Sequence, residues 1–228
     1  KVHGVSLPSK YSSDHSLKDA EDLADMLGID YQIIPIQKCV DEMEQTLKSC
    51  FLGQSPNVAE ENIQARIRGD ILMALSNKFG WMVLSTGNKT ELALGYCTLY
   101  GDMSGGLSVI SDLSKTDVYA MANWINSKYP GRIPKGSIDK PPSAELASDQ
   151  VDPFDYDIVS PLVDLIIEEG KTIVQLGELG IDKELVNSVY EKIRISEYKR
   201  RQSAPGLRVS TKAFGMGRRF PIVNHFKN

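Results

Sequence analysis

The sequence predicts an α/β fold: a parallel sheet with helices on both faces, followed by a helical carboxy-terminal half. Three observations carry this expectation. Short apolar runs alternate with helix-periodic segments through the first part of the chain, the pattern of strands joined by helical crossovers. One apolar run, residues 81–84, stops abruptly at Ser85-Thr86-Gly87-Asn88 and gives way to a helix-like segment. Beyond Lys115 the periodic segments are all helical.

Taken in order, residues 2–7 alternate and read as a strand. Ser12, Ser13 and Asp14 offer caps for a helix over 14–27, with Leu17, Ala20, Leu23, Ala24 and Leu27 on one face and Gly28 as its stop. Residues 31–36 form a second strand, and a helix over 38–51 follows. Pro56 opens a longer helix reaching Phe79. Within it Ile63, Ile67, Ile71 and Leu75 recur every fourth residue as a buried stripe, and Asn62 and Arg66 lie on the adjoining face. Residues 81–84 are the third strand, and the helix behind Thr86 places Glu91, Gly95 and Thr98 on one face. Helices over 115–129 (capped by Ser114), 162–169, 172–179 and 183–198 complete the chain. Residues 135–157, rich in Pro, Ser and Asp and without periodicity, read as a lid or a disordered loop. Ser104-Gly-Gly-Leu-Ser108 reads as a loop.

Composition excludes several classes. Hydrophobic content of 41% and charged content of 25% suit a soluble globule, and no apolar run is long enough to span a bilayer. The start of the chain has no signal-peptide core. Cys39, Cys50 and Cys97 form no CxxC pair and read as reduced core thiols. His3, His15 and His225 lack metal-ligand spacing. A net charge of −4 argues against bulk attraction to nucleic acid. The charge is uneven, however: after Glu197 no acid occurs, while Lys199, Arg200, Arg201, Arg208, Lys212, Arg218, Arg219 and Lys227 follow. Residues 203–228 form a basic tail that could hold nucleic acid, a phosphate ligand or an acidic partner; few aromatics are interleaved, which weakens the first.

The chemistry centres on the turn at 85–88. A strand, a glycine turn and a helix N-terminus present free N–H groups and the positive end of a helix dipole, which suits phosphate. An acid there repels phosphate unless a cation intervenes, so Glu91 suggests a Mg²⁺ ligand. The same residues also serve as helix caps, and spacing alone leaves both readings open. Gly95 costs a helix roughly 1 kcal/mol against alanine, which points to close approach by a ligand or another backbone. Lys115, at a helix start, opposes the dipole and hints at function. Arg66 reads either as a surface arginine or as a guanidinium reaching phosphate, and Asp102 either as a turn residue or as a ligand contact.

Residues 85–102, STGNKTELALGYCTLYGD, resemble the central motif of the NAD synthetases, in the PP-loop ATP pyrophosphatase superfamily. Four further blocks resemble the same family in the same order: 61–68 (ENIQARIR), 112–119 (DLSKTDVY), 140–146 (KPPSAEL) and 197–202 (EYKRRQ). The resemblance covers nearly all of residues 1–228 and implies an adenine nucleotide alpha-hydrolase-like sheet. It implies ATP as co-substrate and Mg²⁺ as cofactor, with Thr86 on the nucleotide, Glu91 on the metal, and Lys115 neutralising phosphate charge. Ser143 stands where many relatives carry a threonine that donates to phosphate, in a mobile loop that closes over ATP. Asn62, Arg66, Tyr198 and Lys199 correspond to substrate-binding positions, with Arg68 less clear and with some relatives carrying His at Tyr198. Asp102 corresponds to a residue near the dinucleotide or the entering ammonia. The implied substrate is nicotinic acid adenine dinucleotide. The sequence after residue 202 is similar to the tail of glutamine-dependent members, whose ammonia comes from an amidase domain. A homo-oligomer in the cytoplasm is expected, as is a Ser-Gly-Gly-x-Asp-Ser phosphate loop upstream of Lys1. The alternatives are another PP-loop amidotransferase such as GMP synthetase, or a non-catalytic nucleotide-binding or dimerisation module.

Overall fold

The computed structural model describes residues 1–215 and 217–223, so His225 and Lys227 lie outside the described residues. In chain order the elements are β1 (His3–Ser6), α1 (Asp14–Leu27), β2 (Asp30–Ile33), α2 (Gln37–Leu47), α3 (Val58–Phe79), β3 (Leu84–Ser85), α4 (Lys89–Leu94) and β4 (Leu107–Ser108). They continue with α5 (Lys115–Lys128), α6 (Lys135–Asp139), α7 (Tyr156–Ile167), α8 (Ile173–Glu178), α9 (Lys183–Ile195) and α10 (Glu197–Arg200). Among the described residues the strands form two parallel pairs, β1 with β2 and β3 with β4. A parallel pair needs a crossover, supplied here by helical connections. The α/β class is therefore the one the sequence predicts, with a predominantly helical second half. No helix among the described residues is long and apolar enough to cross a membrane.

The chain divides into two compact units. The first comprises Lys1–Ile71 and Tyr119–Pro153. Its helix α1 starts where predicted: the Ser13 hydroxyl accepts the Ser16 amide, and Gly28, at φ 65°, closes the other end in the left-handed conformation. Leu7, Ala24, Ile36, Val40, Ile63, Ala65 and Ile67 are among its buried apolar residues. Residues 135–157 are not devoid of regular structure: they carry α6 and the first two residues of α7. Much of the segment is tied down within the first unit. The Glu145 carboxylate accepts hydrogen bonds from the Ser13 amide (3.1 Å), the Ser13 and Ser16 hydroxyls (2.8 and 2.7 Å) and the Lys140 ammonium (2.5 Å). Gln64 Nε2 donates to the Leu146 carbonyl and Gln150 Nε2 to the Glu61 carboxylate.

Burial alone would raise the Glu145 carboxyl, but the hydrogen bonds from Lys140, Ser16 and Ser13 prevail and hold it at about 2. A folded-state value below the ordinary 4.5 means that this contact stabilises the fold above that pH and loses its contribution as the pH falls toward 2. Glu145→Gln is expected to lower the urea unfolding midpoint at pH 7, and the gap to wild type is expected to narrow steadily below pH 4.5. A gap independent of pH contradicts this.

The second unit comprises Leu72–Val118 and the described part of Phe154–Asn228. Its core joins α4, α7, α8 and α9 through Ala93, Leu94, Leu162, Ile166, Leu176 and Val189. Helix α7 begins at Tyr156, not at residue 162, with Asp155 as its cap. Read locally, Pro161 breaks a helix. Here Tyr156, Val159, Val163 and Ile166 form one buried face that runs past the proline and keeps the helix continuous. The third strand is displaced from residues 81–84 to Leu84–Ser85, because only there does the chain meet a partner, Leu84 opposite Leu107 and Ser85 opposite Ser108. That partner, β4, lies in the segment read as a loop; a two-residue strand carries no periodicity to read. Gly105 makes the approach possible, since a Cβ there would lie 2.9 Å from the Val83 carbonyl oxygen.

Helix α4 ends at Leu94, so Glu91, Gly95 and Thr98 do not share a helix face. Gly95 instead closes the helix at φ 68°, and an added Cβ would run into the Ser196 side chain. Close approach is thus the reason for this glycine, with Ser196 as the neighbour. The helix expected over 183–198 breaks at the same Ser196 into α9 and α10. Gly95→Ala combines a disfavoured φ with this clash and is expected to cost about 1–3 kcal/mol in urea unfolding. Adding Ser196→Gly is expected to recover part of the loss, and a neutral Gly95→Ala would contradict the packing argument.

Candidate functional site

Ser85 is buried at the end of β3, and its hydroxyl donates to the Asp102 carbonyl at 3.0 Å. Thr86 follows on the exposed part of the turn. Asn88 caps α4: its side chain accepts the Glu91 amide at 3.0 Å, and Glu91 Oε2 accepts the Asn88 amide at 3.1 Å. This reciprocal capping box satisfies N–H groups that the helix leaves open. The other Glu91 oxygen, Oε1, accepts a hydrogen bond from Lys115 Nζ at 3.1 Å. Glu91 is therefore both a cap and half of an ion pair. The pair also explains a lysine at the start of α5, where the dipole disfavours it: the carboxylate of α4 compensates. The Lys115 amide donates to Thr90 Oγ1 at 3.2 Å, and its ammonium lies 5.2 Å from the centroid of the Tyr156 ring.

Asp102 Oδ1 accepts the Thr98 amide at 2.6 Å. Although part of the residue meets solvent, desolvation by the surrounding chain pushes its carboxyl above the usual range, against the Thr98 amide, and the nearby Glu91 charge adds to the rise. Lys199 Nζ donates to the Gly95 and Cys97 carbonyls, both at 2.7 Å, and so satisfies the carbonyl end of α4 and the chain beyond it. Tyr198 is exposed.

Thr86, Glu91, Asp102, Lys115, Tyr198 and Lys199 thus all belong to the second unit, with Glu91 and Lys115 in direct contact. Asn62, Arg66 and Ser143 belong to the first. Asn62 is half-buried and Arg66 exposed on α3. The Ser143 hydroxyl donates to the Gln150 carbonyl at 2.5 Å and accepts the Glu145 amide at 3.1 Å. Arg68 donates through Nε to the Leu7 carbonyl at 2.9 Å, and burial lowers its guanidinium below the ordinary arginine value, against the nearby Glu145 charge.

Sequence reasoning missed Lys89. A lysine in the first turn of a helix is normally solvated, and no local signal marks this one. It is 1% exposed, with its ammonium 2.5 Å from Glu168, 3.4 Å from Asp164 and 3.6 Å from Asp112. Burial would lower its pKa, but the Glu168 hydrogen bond and the charges of Asp164 and Asp112 outweigh burial and hold it above the ordinary lysine value. Within the basic tail Lys212 is half-buried, while Arg208 and Arg219 are exposed. Lys212 Nζ donates to the Glu168 carbonyl, Arg208 to the Ser210 and Thr211 carbonyls, and Arg219 to the Gly215 carbonyl. Arg200 is buried, paired with Glu197 and set over the Phe214 ring.

No group of three or more His, Cys, Asp or Glu side chains among the described residues could hold a metal by itself. The cysteines differ from the expectation of core thiols. All three are free, Cys39 and Cys50 are exposed, and only Cys97 is partly buried. Burial, with Asp102 adding to it, pushes the Cys97 thiol up to about 12. With an aromatic disulfide reagent at pH 8, Cys39 and Cys50 are expected to react quickly and Cys97 only slowly; rapid labelling of Cys97 in the folded protein would contradict its placement.

A parallel strand pair, a polar turn, a capped short helix and an acid–lysine pair beside it make an α/β protein whose candidate site lies at the end of a strand. The family model for NAD synthase matches residues 1–203, and the chain belongs to that family. It is 50% identical to the glutamine-dependent NAD(+) synthetase of Thermotoga maritima over 231 residues, covering 99% of this chain and 40% of that protein. The corresponding protein of Synechocystis is 46% identical, over 99% of this chain and 41% of its own length. Among solved structures, the glutamine-dependent NAD+ synthetase of Acinetobacter baumannii, in complex with ADP, matches with a TM-score of 0.61 at 41% identity, covering 98% of this chain and 40% of that one. A glutamine-dependent NAD(+) synthetase from Cytophaga hutchinsonii, 21% identical with a TM-score of 0.77 and covering 98% of this chain and 38% of that one, shares the fold. The chain spans about two-fifths of the length of these curated relatives.

Proposed function

We propose that this chain is the synthetase part of a glutamine-dependent NAD synthetase, amidating nicotinic acid adenine dinucleotide at the expense of ATP. The observation that carries the reading is the Glu91–Lys115 pair behind the exposed Thr86 turn, in a chain 50% identical to such an enzyme across its length. In the first step the substrate carboxylate attacks the α-phosphorus of ATP; a P–O bond forms, and the bond to pyrophosphate breaks. In the second, ammonia attacks the acyl carbon, the C–N bond forms, AMP leaves, and the nitrogen gives up a proton.

Each candidate residue has a task in this scheme. Phosphoryl transfer needs positioning and charge neutralisation more than a protein nucleophile. Lys115 supplies a positive charge for phosphate, and Thr86 a hydroxyl for the nucleotide. Arg66, Asn62, Tyr198 and Lys199 hold substrate. Ser143 turns from Gln150 to phosphate when residues 135–157 close, which keeps water from the acyl-adenylate. Asp102, with its raised carboxyl, suits the proton that ammonia loses.

Mg²⁺ commonly takes one or two carboxylates beside phosphate and water, and Glu91, which already balances one cation, fits that requirement. When bound, the ion neutralises charge on the triphosphate. Ammonia would come from glutamine through a separate amidase part, and we place the enzyme in the cytoplasm as a homo-oligomer.

Glu91→Gln separates the two duties of this residue, since glutamine still closes a capping box but carries no charge. In the whole protein it is expected to lower pyrophosphate release by about 100-fold or more with the fold intact. Unchanged pyrophosphate release would refute the metal role.

A further inference from the structure

Residues beyond 203 fall outside the family match, yet residues 205–212 are bound into the second unit around the buried ammonium of Lys89. The Ser108 amide, on β4, donates to the Pro205 carbonyl at 2.8 Å. Asp112 Oδ2 accepts the Val209 and Ser210 amides at 2.8 and 2.7 Å, and Oδ1 accepts the Ser210 hydroxyl at 2.7 Å. Lys89 Nζ donates to the same hydroxyl at 3.1 Å and to Glu168 at 2.5 Å, and the Thr211 hydroxyl donates to Glu168 at 2.8 Å. The Lys89 amide is held as well, by the Leu113 carbonyl at 2.8 Å.

The position of this knot gives it a consequence. Lys89 lies two residues before Glu91, and Asp112 lies three residues before Lys115. Both partners of the site's ion pair therefore hang from one buried cluster. One ammonium faces three carboxylates in that cluster, so its removal leaves like charges opposed and takes away the tail's hydrogen bond from Nζ to Ser210.

We propose that Lys89 is a positioning residue for the synthetase reaction: with residues 205–212 as a strap across it, it fixes the spacing of Glu91 and Lys115. The proposal rests on the function assigned above to that pair. Lys89 acts through its neighbours and needs no contact with substrate.

The test compares Ser210→Ala, Ser210→Thr and Lys89→Met with wild type in the whole protein. Two measurements are made: hydrogen exchange of residues 86–94 and 112–118 without nucleotide, and pyrophosphate release as kcat and KM separately. Ser210→Ala is expected to remain folded, to exchange faster over both segments, and to lose about tenfold in kcat with KM for the dinucleotide little changed. Ser210→Thr, which keeps the hydroxyl, is expected to restore both readouts. Lys89→Met is expected to lose about 100-fold. If Lys89→Met does not fold, Ser210→Ala and its threonine rescue decide the matter. Folded variants with wild-type exchange and wild-type kcat overturn the positioning role while leaving the function intact. If wild type releases no pyrophosphate, the function fails, and the exchange measurement still decides whether the strap holds the pair.

Discussion

An ammonium group taken out of water must be surrounded by acceptors, and the second unit is arranged around one such group, Lys89. Its Nζ gathers the end of α7 through Asp164 and Glu168, the chain before α5 through Asp112, and the tail through Ser210. Breaking a buried pair by removing one partner typically costs about 3–5 kcal/mol, because the remaining charge stays desolvated. These segments thus form a cooperative polar core beside the apolar one built from α4, α7, α8 and α9.

Out of that core projects a carboxylate with two duties. Glu91 closes the first turn of α4 and pairs with Lys115. A plain cap and a Mg²⁺ ligand were the competing readings of this residue; the geometry shows the cap on Oε2 and pairs Oε1 with Lys115. A carboxylate held by a cap does not have to be ordered again when a ligand arrives. A lysine held by that carboxylate remains near the turn, half-buried and charged, where phosphate would need it.

Legibility followed the range of the interactions. The limits of α1 were readable because Ser13 and Gly28 are local signals with local causes. Helix α4 was placed by its turn, and Glu91 and Lys115 were singled out by their positions near helix starts. Other features needed long-range contacts. β4 exists only because β3 lies beside it, α7 runs through Pro161 only because its face is buried, and Gly95 answers to Ser196, far along the chain. Lys89 was invisible because its burial depends on acids and a hydroxyl contributed by distant segments. The exposure of Cys39 and Cys50 likewise depends on what fails to cover them, which apolar sequence neighbours do not report.

The central claim is that the turn behind β3 takes a nucleotide whose negative charge is bridged to Glu91 by a divalent ion. Anomalous diffraction from crystals of the whole protein grown with ATP and Mn²⁺ tests it most directly. The account predicts a manganese peak beside the Glu91 carboxylate, with Lys115 turned from it toward phosphate. A nucleotide bound elsewhere, with the Glu91–Lys115 contact still closed at 3.1 Å and no metal beside it, would contradict the account.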